Sequence, residues 1–139
     1  MYRQLCDVLH KECILHGKLL DMENTKTEIL VKGDVDRLDA LMKSQQPVVM
    51  ECSHLEGRRQ ELQESMGLGS ATLREIVLTC DTQEKDELSQ VMDELSDVIL
   101  KLKKVNGTNM AIVTSRIETI GQISAMLGLE DRQITYQKP

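Results

Sequence analysis

Cys6, His10, Cys13 and His16 stand at spacings of four, three and three, which puts all four on roughly one side of a helix. Thiolate and imidazole are the ligands zinc takes, so the cluster has the residue types of a metal site. Geometry argues otherwise. From Cys6 to His16 a helix climbs about 15 Å, whereas zinc ligands sit within about 2.0 to 2.3 Å of one ion. At most two of the four can share a metal, and no Cys-x-x-Cys pair exists to complete the set. Core and helix-edge roles are expected for them, with no metal ligand among them. Cys52 and His54 have the types of a nucleophile and its base, but residues two apart on a helix do not face each other. No glycine-rich phosphate loop, nucleophile elbow or paired-carboxylate site is present. The expectation is a protein with no catalytic residue and no cofactor, not an enzyme.

Thr82 to Leu127 carries an apolar stripe at helical spacing with no proline to break it. One seam runs Met92, Ile99, Asn106, Val113, Ile120, Leu127, and its neighbour runs Leu88, Leu95, Leu102, Asn109, Arg116, Ile123. Two adjoining seams give a helix with a broad apolar face, roughly 65 to 70 Å long if unbroken. The rest of the chain is expected to pack against it. Asn106 and Asn109 interrupt both seams at one level, with Gly107 between them. Three readings stay open for this layer: a polar pair that fixes register, a helix break at Gly107, or a contact that positions a partner helix.

Tyr2 to Val31 shows the same paired-seam pattern, through Leu5, Val8, Leu15, Leu19, Met22 and Ile29 on one side, interrupted by Glu12 and Lys26. Lys32-Gly33-Asp34 then supplies a left-handed C-cap residue and an N-cap, so a second helix from Val35 to Met66 must run antiparallel. Pro47 lies inside it and predicts a kink rather than two helices. Gly67-Leu68-Gly69 terminates that helix. Thr72 with Glu75 has capping-box spacing for a short helix through Thr79, and Asp81 with Glu84 repeats the logic ahead of the long helix. The expected fold is all-α, an antiparallel open bundle of three to four long helices with coiled-coil-like left-handed packing. Its bundle domain spans 1–128, followed by a mobile C-terminal tail over 129–139.

Composition narrows the partners. The 139 residues include no Trp, no Phe and two Tyr, so the core is built from aliphatic side chains and Met. A net charge of −6 repels a phosphate backbone, which argues against nucleic acid. No segment has the apolar length of a membrane span, and nothing after Met1 has the pattern of a signal peptide. A cytoplasmic location, without membrane insertion, is expected. The four Cys fit a reducing compartment and predict no disulfide. The first two helices, each near 45 Å, cannot cover the whole third stripe. Surplus apolar face marks a groove for a partner or a homodimer surface, and Met110 and Met126 fall on it.

The order of the Lys32-Gly33-Asp34 turn, Leu38 and Leu41, Gln45-Gln46, Leu55-Glu56 with Arg59 and Leu62, Gly67-Leu68, the Leu73-Arg74-Glu75-Ile76 helix, then Asn106 and Asn109 resembles the FlgN-type flagellar export chaperones. The resemblance implies a non-enzymatic chaperone for hook-filament junction proteins. Such a chaperone binds the C-terminal helical segment of its client, keeps it from assembling early and delivers it to the cytoplasmic domain of the type III export gate. It places Asn109, Met110, Val113, Ile117 and Ile120 near the client, and Met126 joins them from its position on the surplus stripe. It assigns Tyr136 to docking on the export gate. The alternative is a structural coiled-coil homodimer or adaptor with no export role.

Overall fold

The computed structural model describes residues 1–128 as four helices: α1 (Tyr2–Lys32), α2 (Val35–Ser65), α3 (Leu73–Thr79) and α4 (Lys85–Met126). The described residues contain no strand, and the helices pack on one another as a bundle. The all-α expectation holds.

The turns follow local chemistry. Gly33 takes φ 73, the left-handed conformation that glycine reaches without a Cβ penalty, and its N–H bonds back to Ile29 O and Leu30 O. Asp34 Oδ1 then accepts from Arg37 N at 3.1 Å and caps α2. Pro47 is accommodated within a single continuous helix. Thr72 Oγ1 accepts from Glu75 N at 3.2 Å, as its spacing predicts. The cap expected at Asp81 and Glu84 does not form. Thr82 takes over instead, its Oγ1 accepting from Glu84 N and its backbone carbonyl from Lys85 N, so that a turn precedes α4 and the helix begins at Lys85. Gly107 does not break α4, which runs unbroken for 42 residues, about 63 Å. The break reading of the Asn106–Asn109 layer is therefore excluded.

The centre of the bundle is α1, not α4 as the long stripe suggested. α1 packs against both α2 and α4, while those two meet only marginally. The physical reason lies in α2, whose buried apolar residues are only Val48, Cys52 and Leu62, a stripe wide enough for one neighbour. α1 and α2 are antiparallel, Glu12 meeting Arg59 and Glu23 meeting Gln45. α1 and α4 run parallel, with Cys13 at Val91, Glu23 at Asn109 and Val31 at Arg116.

The apolar core sits at one end. Leu5 and Leu9 of α1, Ile76 of α3 and Leu88, Val91 and Leu95 of α4 are buried together, each side chain worth about 1.5–3 kcal/mol. Gln63 ties down the connection between α2 and α3, donating through Nε2 to Leu68 O and Ala71 O while its Oε1 accepts from Arg59. Arg59 also meets the buried Glu12 carboxylate at 3.1 Å, which explains one polar interruption of the α1 seam. Lys26, the other, pairs with Glu23 of its own helix at 2.8 Å. Among the described residues no comparable closure exists at the far end, where α1 stops and α2 begins.

Candidate binding groove

At that far end the C-terminal turns of α1 form a floor between two walls. Ile29 and Leu30 are buried, at 3% and 7% exposure. Val35, Leu38 and Met42 of α2 rise on one side, and Met110, Val113, Ile117 and Ile120 of α4 on the other. Two adjoining hollows of about 260 and 380 Å³ share Leu30, Leu38 and Val113 and form one apolar groove. Its walls face outward: Val113 is 40% exposed and Ile117 54%. α1 ends level with Arg116, whose Nη2 donates to Val31 O at 2.8 Å. Beyond it Ile117–Met126 extend about 15 Å past the end of α1, with Ile117, Ile120, Ile123 and Met126 exposed. Groove and overhang make a continuous apolar surface of the kind that receives an amphipathic helix.

A polar layer closes the inner end of the groove. Asn109 Nδ2 donates to Glu23 Oε2 at 2.7 Å and to Glu23 O at 3.0 Å, and Thr27 Oγ1 donates to Asn109 Oδ1 at 2.5 Å. Lys26 and Gln45 donate to the other carboxylate oxygen of Glu23. Burial pushes the Glu23 carboxyl up, but the bonds from Lys26, Asn109 and Gln45 outweigh it and hold the group below its ordinary range.

Of the six positions expected to face a client, Met110, Val113, Ile117 and Ile120 line the groove or its rim, and Met126 stands at the tip of the overhang. Asn109 differs from them. It also touches the inner hollow, but it is 3% exposed and its amide is committed to α1. Tyr136 and the tail 129–139 lie outside the described residues. The opposite wall is Val35, Leu38 and Met42; from sequence Leu38 stands out only as a motif position, and none of the three as part of a binding surface. Its signal was present in the i, i+3, i+7 spacing immediately after the Gly33 turn.

The Cys and His residues are dispersed. Cys6 is in the core, His10 pairs with Glu87 at 3.0 Å, Cys13 Sγ donates to Val91 O, and His16 Nδ1 lies 2.7 Å from Glu12 O. Burial pushes the Cys6 and Cys13 thiols up to about 11, which keeps them protonated. Cys52 is buried, whereas His54 lines a hollow on the outer face of α1 and α2. That hollow is larger, about 670 Å³, but five of its eleven lining residues are charged or His. The groove at the open end is the more apolar, and only two of the ten residues lining its 380 Å³ part, Asp34 and Arg116, are charged. No group of three or more His, Cys, Asp or Glu is placed to hold a metal among the described residues.

The family model for the FlgN protein matches residues 1–139. The chain belongs to the FlgN family. FlgN proteins are flagellar export chaperones, a chaperone family rather than an enzyme family. A relative from Bacillus subtilis (strain 168), the uncharacterized protein YvyG, is 27% identical over 139 residues, covering 98% of this chain and 86% of its own. No solved structure matches this FlgN protein. No described helix is long and apolar enough to cross a membrane.

Proposed function

We propose that this FlgN protein is a cytoplasmic type III export chaperone that holds the C-terminal helical segment of hook-filament junction proteins, prevents their premature assembly and delivers them to the export gate. The observation that carries the proposal is the apolar groove between the start of α2 and the second half of α4, left open because α2 and α4 do not close on each other. A disordered amphipathic segment folds into such a groove by placing one apolar face against Ile29, Leu30, Val113 and Ile120. Met110 and Met126 supply adaptable contacts along the rim, Ile117 extends the wall, and Asn109 stands in the polar layer at the inner end, which sets where the client helix stops. Tyr136 serves the export gate, so that client and gate use separate parts of the chain.

The deciding experiment is titration calorimetry of the full chain with the C-terminal segment of a hook-filament junction protein from the same genome. Saturable one-to-one binding is expected, together with a Tyr136→Ala variant that keeps the client and loses the soluble domain of the export gate. A folded protein that ignores every junction-protein segment would end the chaperone reading. A tight dimer at all concentrations, unchanged by client, would assign the groove to a second copy.

A further inference from the structure

Arg116 interrupts the apolar seam seven residues after Asn109, yet the two polar residues are used differently. Asn109 is buried and its amide is engaged on both sides by α1. Arg116 is exposed, with Nη2 bonded to Val31 O at 2.8 Å and no carboxylate partner among the described residues. It is the one cation among the ten residues lining the larger hollow of the groove. The acid of the same hollow, Asp34, is occupied in capping α2.

We infer that Arg116 reads a side-chain carboxylate on the client helix, so that the groove selects an apolar segment carrying one Asp or Glu on its buried face. This rests on the chaperone reading above and specifies its partner. A helix laid into the groove strips water from the guanidinium, and N–H donors left without acceptors oppose binding. A carboxylate removes that penalty, because the planar fork of arginine takes both oxygens. The bond to Val31 O already orients the guanidinium, which lowers the entropy lost on pairing. Arg116 lies three residues after Val113 and four before Ile120, so the carboxylate sits within one helical turn of the client side chains that fill those positions.

The test pairs the wild type, Arg116→Gln and Arg116→Lys with synthetic C-terminal segments of the junction proteins. Each Asp and Glu of the segment is changed in turn to its amide, and the chain end is amidated separately. One side-chain amide is expected to weaken binding to the wild type about tenfold and to leave binding to Arg116→Gln unchanged, with Arg116→Lys recovering part of the difference. Melting temperatures of the three proteins separate this from loss of the bond to Val31 O, which would weaken every segment equally. Binding that is indifferent to every side-chain amide, or sensitive only to amidation of the chain end, would overturn the inference and leave the chaperone reading intact. Absence of binding by the wild type would remove both.

Discussion

Asn109 of α4 and Glu23 of α1 are joined twice by one nitrogen, Nδ2 donating to the carboxylate at 2.7 Å and to the backbone carbonyl at 3.0 Å. This pair stands between the closed apolar base of the bundle and its open groove. A slip of one turn between α1 and α4 would strand the amide against aliphatic neighbours, so the pair fixes the register of the parallel helices. Asn109→Ala is expected to lower stability by about 1–3 kcal/mol through the donor lost to Glu23. Asn109→Asp should lower it further at neutral pH, by setting a second carboxylate against the first, and should recover as the pH falls. Urea unfolding of both variants at neutral and acid pH checks this, and equal losses at the two pH values would count against it.

Glu23 itself predicts an acid limb. Its folded pKa lies below the unfolded value of about 4.3, so the stabilisation is fully present above that value and is lost as the pH falls through the folded one. Glu23→Gln keeps the shape but loses the charge-assisted bonds. It should be less stable than wild type near pH 7 by about 1–2 kcal/mol, and the unfolding midpoints of the two should converge on acidification.

Glu12 predicts the opposite sign. Burial raises its carboxyl by more than Arg59 and His16 lower it, so the folded pKa lies above the unfolded one. Such a group opposes folding increasingly as the pH rises from about 4.3 through its folded value, and the opposition vanishes in acid. The stability of Glu12→Gln relative to wild type should therefore improve with rising pH, whereas that of Glu23→Gln declines. Parallel urea series on the two variants decide it, and slopes of the same sign would contradict the assignment.

Much of this architecture is legible in residue spacing. The Lys32-Gly33-Asp34 turn, the Thr72 cap and the apolar periodicities mark the helices almost to their ends, because caps and stripes are local chemistry. Long-range choice is not local. Two apolar seams on α4 show that it packs, but not that α1 rather than α4 stands in the middle. That outcome depends on how few apolar side chains α2 buries. In the sequence Glu23 looks like any solvated acid on a charged helix, and only its pairing with Asn109 sets it apart. One wall of the groove was legible as surplus stripe, while the other emerged only when the Gly33 turn brought Val35 and Leu38 opposite Val113.

Exposed wall and buried base should respond differently to the same insult. Val113 and Ile120 are about two-fifths exposed on the groove, whereas Leu88 is 1% exposed in the core. A carboxylate at the first two positions stays hydrated while the groove is empty and loses its water only when a client covers it. Val113→Asp and Ile120→Asp should therefore change unfolding by less than about 1 kcal/mol while weakening client binding by a factor of about ten or more. Leu88→Ala leaves a cavity beneath α1 and should cost about 2–5 kcal/mol, with client affinity of the still-folded fraction unchanged. Denaturation and calorimetry on the three variants separate the two ends of the molecule. Outright unfolding by both aspartates would make that wall ordinary core and leave the groove without its α4 side.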